Sequence, residues 1–221
     1  MNALKKLPIN YKGELYEVKL INFLVALEEV QPLVPKGLKV RDFDGQAIIS
    51  IVNVKLKNMR PVFAPKPLSF DYQHVAFRLL VDDREYSDGQ CKGIYFIKSF
   101  TDKAWVVSTG SLLTHYKLSL ASIQDDEQFV LKQNSHFIRY RLSGQPCALD
   151  EDLKAIIQPL DRAYAVDGKN LLRTQIQREA WPIRPVHCTD FETNFFQTAK
   201  FLGAFEVQEV IDYEWLAPVM L

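Results

Sequence analysis

The stretch YQHVAFRLLV, Tyr72–Val81, alternates between two kinds of side chain. Because successive side chains of a β-strand point to opposite faces, one face of this predicted strand carries His74 and Arg78. The other face is apolar and carries Val75, Phe77 and Leu79. We expect a strand that packs on its apolar side and that lines a cavity or meets solvent on its polar side.

Similar patterns recur along the chain, as period-two alternation or as short runs rich in β-branched and aromatic residues. The segments concerned are Glu14–Val25, Gln46–Leu56, Lys92–Phe100, Ala104–Thr109, Glu127–Lys132, His136–Leu142 and Leu171–Arg178. Many strands with short connections favour a barrel or a sandwich, because a sheet must close or cover its edges. The predicted fold is therefore mainly β.

Three segments have apolar residues at helical spacing and predict short packing helices. They are Ala26–Val34, Leu149–Leu160 and Phe191–Leu202. The last follows Asp190, a good N-cap residue, and ends before Gly203, a good C-terminal residue. With no repeat or flexible linker in view, we expect residues 1–221 to form one domain.

Composition disfavours several classes of function, although a local basic patch stays possible. Lys and Arg together number 27, as do Asp and Glu, so no overall field steers the chain to nucleic acid or to a membrane surface. No signal peptide or membrane-length apolar run is visible. Cys91, Cys147 and Cys188 lack the spacing of a disulfide framework or a zinc site. We expect a cytoplasmic protein with reduced thiols.

Motifs for phosphate, dinucleotide and metalloprotease chemistry are absent, and the four histidines are scattered. We therefore predict no cofactor and no metal, and a small molecule as the partner. The sequence leaves a homo-oligomer open.

Two strands carry candidate ligand-binding residues. Arg78 can bind a carboxylate bidentately, and His74 can titrate near neutral pH; the alternative is a solvated outer face. In Gly93–Phe100, strict alternation places Lys98 on a face with Ile94, Phe96 and Phe100. A desolvated lysine can form a Schiff base, although such a lysine more often reaches out to water.

The segment Ser108–Lys117 ends in three adjacent ionisable residues, His115, Tyr116 and Lys117. They form a candidate proton-transfer set. Neighbours on a strand point to opposite faces, so the three converge only if this segment is irregular. Farther on, Trp181 precedes a proline and is held extended, which suits a packing role as a plug at the end of a barrel.

Several stretches together resemble the acetoacetate decarboxylase-like superfamily, in particular its YqjF-like branch. The matching stretches are Val34–Leu38, Tyr72–Val81, Gly93–Phe96, Ser108–Ser119, Tyr164–Pro182 and Phe191–Gly203. Their order and spacing agree over most of the chain. The resemblance implies a closed, largely antiparallel β barrel with a central cavity and a few helices packed outside.

The catalytic residues of that superfamily correspond only in part. In its Gly-Phe-Pro-Lys-Lys motif, His115 stands at the proline, Tyr116 at the Schiff-base lysine and Lys117 at the next lysine. His74 stands at the cavity glutamate, and Arg78 matches an arginine of the YqjF-like branch. Without a lysine on the cavity wall there is no electron sink for decarboxylation of a β-keto acid.

Three functions follow as hypotheses. The first is a barrel that binds a small anionic or carbonyl-bearing organic molecule through His74, Arg78, His115 and Tyr116, with proton transfer by His74 or Tyr116. The second is a Schiff-base decarboxylase or aldolase-like enzyme that uses Lys117 or Lys98. The third is a non-catalytic binding or assembly protein whose barrel is filled by its own side chains.

Overall fold

The computed structural model describes residues 8–113, 117–148 and 150–221, with the backbone alone at 109–113. The strands are β1 Tyr11–Ala26, β2 Lys39–Val40, β3 Gln46–Pro61, β4 Phe70–Asp82, β5 Gly93–Thr101, β6 Ser119–Leu120, β7 Ser122–Asp125, β8 Phe129–Gln133, β9 His136–Pro146, β10 Arg162–Asp167, β11 Asn170–Arg178, β12 Arg184–Thr193, β13 Lys200–Val207, β14 Ile211–Trp215 and β15 Val219–Met220. The α-helices are α1 Leu27–Val30, α2 Ala104–Leu113 and α3 Glu151–Ile157. Short 3₁₀ helices span Gln31–Leu33, Lys66–Leu68 and Arg84–Tyr86. The mainly β prediction is confirmed.

One extended sheet carries most of the chain, in the order β14-β11-β10-β5-β4-β3-β1-β13-β12-β9-β8-β7. Strand β1 changes partner along its length: Tyr11–Leu15 pairs with β14, and Val18–Leu24 pairs with β13. Between these two parts Glu17 has a positive φ of 51°, and the register with β3 shifts there. An irregularity of this kind bends a strand and increases its twist, so that the two parts of β1 can pair with different strands.

Two apolar clusters lie on opposite sides of β4. The first fills the space between the central strands and the β8–β9 hairpin, and it includes Phe77, Phe100 and Ile138. The second joins the other side of the central strands to α3 and to Trp181. Burying one large apolar side chain contributes about 1.5–3 kcal/mol, so these clusters supply much of the stabilisation. Both faces of β4 are covered.

Helix α3 lies within the predicted Leu149–Leu160 segment, and α1 with the following 3₁₀ turn lies within Ala26–Val34. Asp150 caps α3, since its carboxylate accepts a hydrogen bond of 2.8 Å from the backbone N–H of Leu153. Such a cap satisfies one of the free N–H groups at a helix start. Both packing helices are therefore shorter than predicted but correctly placed.

Two predicted elements are wrong. Ala104–Thr109 is not a strand but part of α2, because both edges of the preceding strand are already paired, with β4 on one side and with β10 and β6 on the other. Phe191–Leu202 is not a helix: it contains the end of β12, a turn and the start of β13. There, pairing with β1 and the packing of Phe191 and Ala199 against the first cluster outweigh the helical spacing.

Candidate functional site

The polar face of β4 lines a small interior cavity of about 70 Å³. His74, Ala76 and Arg78 lie on its wall, as the period-two alternation predicts. The intervening residues Val75 and Phe77 are fully buried in the first apolar cluster on the other side. Most of the remaining wall is apolar and comes from neighbouring strands, including Leu15, Val52, Val54, Leu56, Ile94 and Phe96.

Arg78 is a buried cation without an acidic partner among the described residues. Its side chain is 5% exposed, and it donates from Nε to the Ser50 carbonyl at 3.3 Å and from Nη2 to Ser50 Oγ at 2.8 Å. In the part of the chain that the structure describes, no carboxylate lies within ion-pair distance of this guanidinium. Burial, with a smaller contribution from the nearby positive charge of Arg178, lowers the pKa of Arg78 to about 9. It therefore remains positively charged at neutral pH.

Arg178 brings a second guanidinium to the same cavity. Its Nη2 donates to the carbonyl oxygens of Gln158 at 3.2 Å and Leu160 at 2.8 Å, just past the end of α3. Its guanidinium carbon lies 4.4 Å from the ring centroid of Trp181, a cation–π distance. Burial lowers the pKa of Arg178 to about 10, which the neighbouring Asp161 partly opposes. The carbonyls hold the side chain in place without neutralising it.

Two further nitrogen atoms on the cavity wall have no hydrogen-bond partner among the described residues. They are His74 Nε2 and Trp181 Nε1, both buried. Burial lowers the pKa of His74 from 6.5 to about 4, so this imidazole is neutral at neutral pH, and its Nε2 donates or accepts according to the tautomer. Leaving a buried polar group unpaired costs about 1–3 kcal/mol, a cost that a bound ligand would remove.

Lys98 lies away from the cavity. The pairing of β4 with β5 shifts between Phe77 and Arg78, which face Lys98 and Phe96 respectively. The extra residue, Ile97, forms a bulge that changes the alternation. The predicted common face of Lys98 with Ile94 and Phe96 is therefore wrong: those two line the cavity, and Lys98 Nζ lies 5.4 Å from the ring centroid of Phe195 on the other side.

The predicted proton-transfer set stays a prediction, because two of its three members are not among the described residues. His115 and Tyr116 lie outside them, and Lys117 is exposed just before β6. Among the described residues, no cluster of three or more His, Cys, Asp and Glu side chains could hold a metal ion. No helix of that same part of the chain is long and apolar enough to cross a membrane.

Known protein families and solved structures include several that are similar to this chain. The model of the DUF2071 family, described as "Uncharacterized conserved protein", matches residues 13–213. The chain belongs to the DUF2071 family. Comparison with curated proteins found no match.

Several solved structures share the fold of this DUF2071 protein. An acetoacetate decarboxylase-like enzyme from Sphingomonas wittichii RW1 is 12% identical with a TM-score of 0.65, over 97% of this chain and 92% of that one. The enduracididine biosynthesis enzyme MppR, complexed with pyruvate, is 14% identical with a TM-score of 0.62, over 99% and 91%. An acetoacetate decarboxylase is 14% identical with a TM-score of 0.60, over 99% and 91%. These likenesses support an acetoacetate decarboxylase-like fold, as the sequence resemblance implies.

Arg178, Tyr213 and Trp215 were not predicted from the sequence as cavity residues of this DUF2071 protein. Arg178 ends a predicted strand on the same face as Ile176, and Tyr213 and Trp215 alternate along β14. The two-residue alternation that places His74 and Arg78 on one face also places Ile176 with Arg178, and Tyr213 with Trp215. It could not tell which face met the cavity, because that depends on the pairing of β14 with both β1 and β11.

Proposed function

We propose that this protein binds a small organic molecule bearing a carboxylate or a carbonyl group in the cavity, with Arg78 as its anion-binding residue. The observation that carries the proposal is a buried guanidinium on the cavity wall with no acidic partner among the described residues. A buried charge is normally paired. A ligand carboxylate would supply the missing partner and form charge-assisted hydrogen bonds.

The other polar atoms of the wall suit the same ligand. Trp181 Nε1 can only donate a hydrogen bond, and His74 Nε2 donates in one tautomer. Two arginines and two ring nitrogens thus face a space whose remaining wall is mostly apolar. Such a site favours a compact ligand with several acceptor oxygens and a short apolar part, in preference to a cation or a sugar.

The volume of the cavity limits the size of the ligand. About 70 Å³ compares with roughly 30 Å³ per molecule of liquid water and with about 300–1,000 Å³ for pockets that take drug-sized molecules. A ligand with only a few non-hydrogen atoms fits. The complex of MppR with pyruvate, a three-carbon acid with one carboxylate and one ketone, supports this size and chemistry by analogy of fold.

The proposal includes a closed barrel around the cavity. The pairing of β14 with β11 on one side and with β1 on the other supports it, since it links the two ends of the run from β11 through β10, β5, β4 and β3 to β1. A closed wall would shield the ligand from bulk water, where hydrogen bonds to a guanidinium are weaker.

Titration with pyruvate tests the proposal. We expect binding by isothermal calorimetry, weakened about 10- to 100-fold in Arg78→Met, since a hydrogen-bonded charge contributes about 1.5–3 kcal/mol. Arg78→Lys should retain part of the affinity. Arg139→Met is the matched control, because Arg139 is exposed on β9 and pairs with Glu192. Equal affinity in Arg78→Met and the wild type, with both folded, would overturn the assignment of Arg78.

Proton transfer is the chemistry that the cavity best supports. His74 is neutral, lines the cavity and has no partner at Nε2 among the described residues. It suits a hydrogen-bond donor to a carbonyl oxygen or a general base, although its lowered pKa makes it a weaker base than free imidazole. Among the described residues, no lysine lines the cavity. Deuterium exchange at the methyl group of pyruvate, followed by NMR, measures this activity, and we expect His74→Gln to abolish any enzyme-dependent exchange.

The Schiff-base alternative has its own test. Intact mass after incubation with pyruvate and borohydride should show no adduct on Lys98 or Lys117, because the first lies on the other side of the sheet and the second is exposed. A stoichiometric adduct at either lysine would favour the decarboxylase or aldolase-like reaction. Absence of both adduct and binding across a panel of small keto acids and aldehydes would favour an interior filled by side chains.

A further inference from the structure

Arg178 lies on the wall of three separate spaces. It lines the interior cavity together with Arg78. It also lines a surface groove of about 630 Å³, here called the α3 groove, with Lys92, Gln158, Asp161 and Ile176. On its other side it lines a groove of about 620 Å³, here called the β14 groove, with Lys12, Glu14, Arg60, Asp212 and Tyr213 among others. Arg178 therefore borders the cavity and both grooves.

Charge distinguishes the two grooves. In the α3 groove the cations Lys92 and Arg178 face a single carboxylate, Asp161. In the β14 groove three cations face four carboxylates: Glu14, Glu179, Asp212 and Glu214. Grooves lined by one sign of charge concentrate ions of the opposite sign. An anion is therefore attracted to the α3 groove and not to the β14 groove.

The position of Arg178 suits the passage of an anion. Its guanidinium is held by backbone carbonyls, which leave the positive charge available. It also stacks on Trp181, whose buried Nε1 has no partner in the described part of the chain. Ile176, two residues before it, is also shared between the α3 groove and the cavity. The cavity and the α3 groove therefore adjoin at Ile176 and Arg178.

We propose that Arg178 is the entrance residue of the cavity: small anions collect in the α3 groove, pass Arg178 and reach Arg78, whereas cations are excluded. The inference rests on the proposed function, because an entrance selective for anions serves only a cavity that takes one. It adds a selectivity residue and a route, and it makes Lys92 a contributor to the rate of anion entry.

Two of the three tryptophans report on the interior, since Trp181 and Trp215 both line the cavity. The third, Trp105, is 48% exposed and is removed by Trp105→Phe. In this background, quenching of fluorescence by iodide, by neutral acrylamide and by caesium is compared at constant ionic strength. Iodide probes anion entry, acrylamide measures entry that does not depend on charge, and caesium measures exclusion of cations.

We expect Arg178→Gln to lower the ratio of iodide to acrylamide quenching about fivefold, the Boltzmann factor for one unit charge at about 4 Å in water. Arg178→Lys should keep the ratio near that of the parent protein. Lys92→Gln should lower it less than Arg178→Gln, and its matched control in the other groove, Lys12→Gln, should leave it unchanged. The effect of Lys92→Gln should shrink at high salt, because salt screens exposed charges.

An unchanged ratio in folded Arg178→Gln would overturn the proposal, as would an equal fall in Lys92→Gln and Lys12→Gln. If Arg178→Gln fails to fold, the comparison of Lys92→Gln with Lys12→Gln still tests the proposal. Failure of the proposed function looks different: pyruvate would not bind, while the iodide ratio would still fall in Arg178→Gln. Arg78→Met should give the opposite result: pyruvate binding weakens, while the ratio of iodide to acrylamide quenching stays as in the parent protein.

Discussion

The two faces of β4 are both covered, but by opposite kinds of side chain. On one face Phe77 is fully buried, with its ring centroid 5.1 Å from that of Phe195 and 5.7 Å from that of Phe100. On the other face His74 and Arg78 line a cavity, and among the described residues His74 Nε2 has no hydrogen-bond partner. The first face is buried in an apolar cluster, whereas the second carries polar groups without partners among the described residues.

This difference separates stability from binding within a single strand. Packed aromatic rings stabilise the sheet through burial and ring contacts. Buried polar groups without partners reduce stability, and such departures from good packing concentrate at functional sites. We infer that substitutions on the apolar face should unfold the protein, while those on the polar face should mainly change what it binds.

The largest expected effect is on the apolar face. Phe77→Ala should lower the free energy of unfolding by about 3–5 kcal/mol, the usual range for removing a buried phenylalanine side chain. Denaturant unfolding followed by circular dichroism measures this loss. A loss below about 1 kcal/mol would mean that the phenylalanine cluster can close over the gap, and the contrast between the faces would then fail.

The next effect is the pH dependence set by His74. Its pKa is lowered from 6.5 to about 4 by burial, so between these values the unfolded chain binds a proton that the folded chain does not. The contribution of His74 to the free energy of unfolding is therefore fully present above pH 6.5. It is lost as the pH falls toward 4, by up to roughly 3 kcal/mol. Unfolding at pH 7 and at pH 4.5 measures it.

The matched control for that measurement is His187, which is exposed on β12. His74→Gln should flatten the dependence of unfolding free energy on pH in this window, while His187→Gln should leave it as in the wild type. If both variants keep the full slope, the loss of stability in acid arises from other groups and the buried imidazole is not its source.

A smaller effect is expected for Arg78→Met. Replacing a buried ion pair with apolar side chains of similar size is often neutral or stabilising. Among the described residues Arg78 has no acidic partner that its removal would leave unpaired, and it lies near the like charge of Arg178. We expect the free energy of unfolding to change by about 1 kcal/mol or less, although pyruvate binding weakens about 10- to 100-fold. Thermal unfolding followed by calorimetry checks it; a loss as large as that of Phe77→Ala would make Arg78 a structural residue.

The smallest effect tests the bulge at Ile97. Lys98→Met should change the free energy of unfolding by about 0.5–1 kcal/mol, the size of an exposed cation–π contact, because Lys98 lies over Phe195. Pyruvate affinity, measured by the same calorimetric titration, should not change. A clear loss of affinity would place Lys98 on the cavity side and contradict the register of β5.

The sequence predicts the strands of the central sheet well because their signal is local. Alternation along Tyr72–Val81 correctly separates the His74 and Arg78 face from the Phe77 face, since the two-residue period follows from backbone geometry alone. The same argument misplaces Lys98, because one bulged residue in β5 reverses the alternation. Bulges arise from how two strands pair, and single-strand patterns do not contain that information.

What the amino-acid sequence determined by itself was the mainly β class, the two-faced character of β4 and the likeness to the acetoacetate decarboxylase-like superfamily. These depend on local periodicity and on motif order. Only the tertiary structure decided that 191–202 forms parts of two strands, that Ala104–Leu113 is a helix, and that Arg178 and Trp181 meet Arg78 at one cavity. The reason is physical: hydrogen bonds and burial between distant segments outweigh local preference, and a cavity exists only where distant strands come together.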